Sequence, residues 1–375
     1  MIQRSTEQTE LLTALRDSLT GKTFSTLPDA VINEAKHQTV LPLICTDIEA
    51  YPVIASNVQL MWEQQQLSRV LSNIPYMILK GSCASIYYPV PLRRTLGDID
   101  VLVRPEYFNM AYRAFEKAGY ITKDPLNGED RHVHFYHGTT VIELHRRYAI
   151  LQSYKQEILL DNWLFQETPI IGKMGRYTFP MPDNELNGLV LLAHINQHLE
   201  GGLGLRHLVD WVMYVKACLP DEKWDAFRQK SDQLGLTTIA KVVAKFGQMY
   251  LGVNGDYKWC SDANENTVER LLNYIFEWGN FGHKNDRNNT VVMIMSHGRG
   301  VKGFFKNLQR QGSNNWKRLE KQPYLRPAAW IYQFGRYIWL GIKSTRLRDF
   351  FKNYRASRLR NQLMDELGAT RVALK

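Results

Sequence analysis

Two aspartates, Asp98 and Asp100, stand two apart in "GDIDVLV", and a third acid, Glu143, stands in "VIELH". All three are bracketed by apolar residues of the kind that fill a sheet interior. Burying an unpaired carboxylate is costly, and two at i and i+2 also repel each other. Strand alternation puts both aspartates on one face, with Ile99 and Val101 on the other. A divalent cation between them removes both costs. Carboxylates on a rigid strand can hold Mg²⁺ against the phosphates of a nucleotide. Two-metal sites of this type keep their ions about 3.5–4 Å apart and clamp attacking and leaving oxygens. Glu143, on a neighbouring strand, is placed to be the third carboxylate such a site needs.

Upstream, the apolar run "MIL" ends in Lys80-Gly81-Ser82. A strand that ends in a Gly-Ser turn and opens a helix exposes backbone N–H groups and a hydroxyl to an anion. Gly81 lets the backbone approach a phosphate closely, and Ser82 adds a hydroxyl. Lys80 either pairs with a phosphate or merely flanks the strand.

The histidines read more modestly. His132, His134 and His137 lack a further ligand at zinc spacing and read as packed or solvent-facing. His145 shares a face with Glu143 and could line its site. His194 and His198 are four apart on one helix, but "HINQH" lacks the acid of a metalloprotease H-E-x-x-H helix. Core or capping roles are their default reading, contact with a nucleotide or acceptor the alternative. Arg206 and Asp210, also four apart, suggest an internal ion pair.

The elements that must position these groups follow from periodicity. Residues 1–74 read as helical, with Leu11, Leu12, Leu15 and Leu19 at helical spacing, then "LPDAVINEAKHQTVLPLI" and "PVIASNVQLMWEQQQLSRVLSN". Residues 75–182 read as a small α/β core: strands "YMILK" and "DIDVLV", the amphipathic helix "PEYFNMAYRAFEKAGY", and strands "RHVHFYHG" and "TTVIELHRR" meeting at a His137-Gly138 turn. Residues 183–298 read as a helical domain that opens on an Asp cap and weakens into a long connection. Residues 299–375 form a basic, aromatic-rich helical segment. The fold class is α+β: a small mixed sheet with helical segments on both sides of it in sequence.

The charge is lopsided. The 375-residue chain carries a formal net charge of +10, yet residues 299–375 hold 18 Lys/Arg against 4 Asp/Glu, a net of +14, so the remainder is about −4. An anionic membrane surface or an RNA would meet that segment first. The segment "AAWIYQFGRYIWLGI" is too short and too polar to span a bilayer, and no transmembrane helix is expected. The polar start reads as no secretory signal, and the four scattered cysteines read as reduced core residues. The expected location is cytoplasmic, with the basic tail allowing peripheral contact at the inner membrane face.

The combination "LKGSCASIYYP…RRTLGDIDVLV…VIELH" resembles the nucleotidyltransferase superfamily related to DNA polymerase β. Within it the chain most resembles a bacterial group known only as uncharacterised nucleotidyltransferases, which share an "LKG…YP…R…GDIDLLV" core and an "LR..LD" element like "LRHLVDW" here. The likeness covers roughly residues 8 to 285, with Pro75–Arg147 its specific part. It implies that Asp98 and Asp100 bind metal, that Glu143 completes the site, and that Gly81 and Ser82 hold a triphosphate. Glu143 departs from the aspartate common in that group, and the span from Gly81 to Asp98 is longer than in compact members, which implies that part of "YYPVPLRRT" loops out, placed to carry Arg93 or Arg94 to a phosphate.

The function expected is transfer of a nucleoside monophosphate from an NTP to an acceptor hydroxyl, with release of pyrophosphate. Asp98, Asp100 and Glu143 are the expected catalytic and metal-binding residues, for two Mg²⁺ ions or Mn²⁺ in their place. Lys80, Gly81, Ser82 and Arg94 are the expected contacts to the NTP. Two alternatives share the fold: a nucleotide-binding scaffold without turnover, and a toxin-type enzyme that modifies RNA or protein.

Overall fold

The structure is a computed structural model that describes residues 4–22, 26–126, 131–252, 255, 257–280, 284 and 350–369. The basic stretch before Phe350, with its aromatic run, lies outside the described residues.

Helix α1 (Thr6–Leu19) buries Leu11, Leu12, Leu15 and Leu19, the stripe its spacing predicts. The second expected helix is two: α2 (Asp29–His37) and α3 (Leu41–Ile44). Thr39 adopts a φ of 55° between them, and a β-branched residue in that region ends a helix. Buried Gln38 holds the break by donating to Glu34 Oε1 (2.9 Å) and the Ile275 carbonyl (3.1 Å). Helix α4 (Asp47–Val70) starts before the expected Pro52, because Thr46 and Glu49 form a capping box there.

Next come β1 (Tyr76–Leu79), the short α5 (Gly81–Ser85), β2 (Ile99–Val103), α6 (Phe108–Lys117), β3 (His132–His137) and β4 (Thr140–His145). The four strands make one mixed sheet in the order β1-β2-β4-β3, with β2 and β4 parallel and the outer pairs antiparallel. Alternation sorts its two faces. Ile99, Val101, Val103, Val133, Phe135, Ile142 and Leu144 pack with Phe108 and Phe115 of α6. Asp100, Glu143, His132, His134 and His145 occupy the alternate positions and so share the opposite face.

Helix α7 (Tyr154–Gln166) and a hairpin, β5 (Ile170–Met174) with β6 (Tyr177–Met181), follow. No expectation covered either. The hairpin buries Met174, Tyr177, Phe179 and Met181 in the α6-side core. Helices α8 (Asn184–Gly201), α9 (Leu205–Cys218), α10 (Asp221–Leu234), α11 (Thr237–Phe246) and α12 (Glu265–Trp278) then build the larger core around Trp211, Tyr214, Phe227 and Phe246. Asp183 caps α8 as expected, accepting from the Leu186 N–H at 2.8 Å. Helix α13 (Phe350–Leu367) packs on α11 and α12 through Leu363, Met364 and Leu367. All four cysteines are free. Among the described residues, no helix is long and apolar enough to cross a membrane.

Candidate active site

The sheet's polar face and helices α8 and α9 enclose a cleft of about 640 Å³. Lys80, Gly81, Arg94, Asp98, Asp100 and Glu143 all line it. The parallel pairing sets Asp100 opposite Glu143 across β2 and β4. Asp98 departs from the expectation of a strand position: β2 begins at Ile99, and Asp98 is exposed at the end of the preceding loop. Asp100 is 2% exposed. The two aspartates therefore sit at the mouth and in the wall of the cleft, and not as equals on one buried strand.

Asp100 is heavily engaged. Its Oδ1 is 2.5 Å from Lys80 Nζ and 2.9 Å from His145 Nε2. His145 Nε2 also lies 3.2 Å from Glu143 Oε2, and His134 Nε2 lies 3.6 Å from Glu143 Oε1. Glu143 thus pairs with histidines of its own sheet face.

These contacts set the protonation states. Water crowded out by the surrounding cleft walls, although the Asp98 side chain itself keeps an exposed surface, and the neighbouring Asp100 charge push Asp98 up to about 6, against the pull of Lys80. Burial would raise Glu143 too, but the His145 hydrogen bond and the Lys80 charge outweigh it and hold Glu143 well below the usual range. Burial disfavours the charged forms of Lys80 and His145, yet the acids win and raise both.

Lys80 also carries backbone strain, with φ 53° and ψ −127°. That region suits glycine and costs another residue about 1–3 kcal/mol. The ion pair with Asp100 holds the lysine there. Gly81 has an unstrained backbone, and an added Cβ would meet Leu96 and the Asp98 carbonyl at ordinary distances of 3.7 and 3.8 Å. The backbone itself does not demand glycine at 81. A bare wall at that point of the cleft leaves room for a ligand to approach.

Residues 49–252, more than half of the chain, match the family described as uncharacterised nucleotidyltransferase. The chain belongs to that family. No curated protein and no solved structure matches it. The family match is narrower than the span from 8 to 285 that resemblance suggested, but it contains every cleft residue named above.

In this nucleotidyltransferase two expected phosphate contacts are otherwise occupied. The Ser82 hydroxyl is buried and donates to Gln64 Oε1 at 2.8 Å, away from the cleft lining. Arg94 is 3% exposed and bidentate to Asp210, with Nε–Oδ1 at 2.9 Å and Nη2–Oδ2 at 2.6 Å. Tyr88 donates to the same carboxylate at 2.7 Å. This corrects the expected Arg206–Asp210 pair: the extra length of the "YYPVPLRRT" loop carries Arg94 onto α9, where its fork outcompetes a helical i,i+4 contact. Arg93 turns away as well, to the Pro42 and Cys45 carbonyls and Asp47.

Arg206 is thereby released to the cleft. Its Nη1 donates to the Thr95 carbonyl at 3.1 Å, and its Nε is buried without a partner among the described residues. Burial and the adjacent Arg94 lower it to about 10. A cation held away from water beside another cation gains from an anion in the cleft. Sequence spacing pointed Arg206 at its own helix, so only the fold exposes this role. Arg131, Arg147 and Tyr148 line the cleft too, and no local motif marks them.

Proposed function

We propose that the cleft transfers a nucleoside monophosphate from an NTP to an acceptor hydroxyl. The observation that carries this reading is the set of three carboxylates at one cleft, two of them facing across β2 and β4, beside a bare Gly81 wall and the unpaired Arg206 Nε. The acceptor oxygen forms a bond to the α-phosphorus, the bond to the bridging β-phosphate oxygen breaks, and pyrophosphate leaves. The acceptor's proton passes to water or to a carboxylate of the cleft.

The donor set fits a hard divalent cation. Asp100, Glu143 and His145 offer ligand atoms within 4.8 Å of one another, and the raised Asp98 marks an excess of negative charge that a cation relieves. Asp98, Asp100 and Glu143 would hold Mg²⁺, or Mn²⁺ in its place, which supplies charge neutralisation at the phosphates. Glu143, held well below the usual carboxylate range by His145 and Lys80, serves as a ligand. Lys80 neutralises Asp100 before a nucleotide arrives, and Arg206 binds the phosphates as they enter. Orientation and preorganised charge carry the rate.

Incubation with each α-labelled NTP, Mg²⁺ and a cell extract tests this. Label transfer should fall at least about 100-fold in Asp98→Asn/Asp100→Asn, the usual scale for losing a preorganised charge contact. Undiminished Mg²⁺-dependent NTP binding and transfer in that variant would remove the assignment. One observation favours a second reading, a nucleotide-binding module without turnover: Lys80 and His145 already satisfy Asp100. NTP binding that is independent of divalent cation, with no transfer to any acceptor, would select it.

A further inference from the structure

Helix α8 presents His194 and His198 four residues apart, hence on one face, and the turn at Gly204 brings His207 of α9 against them. The ring centroids lie 4.5 Å apart for His194–His198, 4.9 Å for His194–His207 and 4.7 Å for His198–His207. One nitrogen from each lies within 4.8 Å of the other two. We propose that His194, His198 and His207 form a second metal site, separate from the carboxylates, that takes a divalent transition ion of the Zn²⁺ type with one coordination position open to the cleft.

Three arguments support it. A tetrahedral ion with Zn–N bonds of 2.0–2.1 Å needs its nitrogens about 3.3 Å apart, so small side-chain rotations close the gap. The His207 Nδ1 lies 3.3 Å from the Gly204 carbonyl. The Gly204 N–H lies 3.4 Å from the same Nδ1, so the two contacts compete for the proton, and a metal on Nε2 selects the tautomer in which Nδ1 donates to the carbonyl, the arrangement that usually orients a metal-ligating histidine. That Nε2 is buried, in a residue 1% exposed, and has no hydrogen-bond partner among the described residues. A stranded buried nitrogen costs stability, and a ligand that uses its lone pair removes the cost.

The electrostatics cut both ways. Burial, first, and neighbouring positive charge lower all three imidazoles from the usual histidine range. Lys80 and Arg206 repel a cation, while Asp100 and Glu143 attract one toward His198. Nitrogen–metal bonding decides the balance. All-imidazole donors select Zn²⁺-class ions and reject Mg²⁺ and Ca²⁺, which demand oxygen. His194 and His198 line the same cleft as the acids, so the open position faces whatever the cleft binds.

Metal-stripped full-length protein titrated with Co²⁺ tests the proposal without reference to nucleotidyl transfer. One equivalent should give the intense visible absorption of a low-coordinate, nitrogen-ligated ion, displaced by Zn²⁺. It should persist in Asp98→Asn/Asp100→Asn. His194→Gln and His198→Gln, both at the partly exposed cleft wall, should each weaken binding at least about 100-fold with unchanged circular dichroism. Absence of the signal in wild type overturns the proposal. So does a signal that survives both histidine variants, or one that disappears with the aspartates.

Discussion

Asp98 and Asp100 differ more than their spacing suggests. Asp100 is enclosed and answered by Lys80 and His145, whereas Asp98 is open to solvent and still raised to about 6. An acid with a folded-state value above its unfolded one stabilises the fold only while protonated. That contribution is complete below about pH 4 and is lost as pH rises through about 6. Glu143 has the opposite sign: its depressed value adds stability above its unfolded value, lost only as pH falls well into acid. Without divalent cation, Asp98→Asn should therefore raise stability at pH 7.5 by about 1 kcal/mol, a figure reduced for the exposure of the group, and leave it unchanged at pH 4. Denaturant melts at the two pH values check this. A stabilisation equal at both would show that Asp98 is not strained by its neighbours.

At the scale of elements, the cleft depends on one buried tie. Arg94 and Asp210, 3% and 2% exposed, join the loop before β2 to α9, with Tyr88 closing the carboxylate. Removing one partner leaves an uncompensated buried charge at a cost of about 3–5 kcal/mol, whereas replacing both can be nearly neutral. Arg94→Met should lose that much stability, and Arg94→Met/Asp210→Leu should lose less than the sum of the two single changes. Urea midpoints of the four proteins check the cycle. Strict additivity would mean that the tie does not couple loop to helix. The same element sets Arg206 free, so Asp210→Leu alone should weaken NTP binding through a redirected Arg94.

At the scale of the molecule, helix α13 is part of the core. Helix α13 buries Leu363, Met364 and Leu367 against α11 and α12, and Glu366 meets Arg270 at 2.9 Å and the Thr267 hydroxyl at 3.0 Å. Burial of each apolar side chain contributes about 1.5–3 kcal/mol. Ending the chain before Phe350 should therefore cost about 5 kcal/mol, read as a lower thermal midpoint and a lower denaturant midpoint. An unchanged midpoint would detach α13 from the fold. RNA or lipid contact by the basic segment is better tested by replacing its Lys and Arg residues than by deletion, which removes α13 as well.

Local sequence by itself determined the strands that carry Asp100 and Glu143, the Asp183 cap and the order of the helices after it. Apolar runs, caps and alternation are short-range signals, so β2, β4 and α8 are legible from a few residues each. The hairpin β5–β6 is not legible in this way, because its outward positions, including exposed Ile171, blur the alternation. Tertiary structure alone decided who pairs with whom. It placed Asp98 at the mouth of the cleft, gave Ser82 to Gln64, gave Asp210 to Arg94 and left Arg206 facing the ligand space. It also gathered His207 from one helix onto His194 and His198 of another. Side-chain partners across 18 to 122 residues are chosen by packing and desolvation in the closed fold, and no local period in the chain encodes that choice.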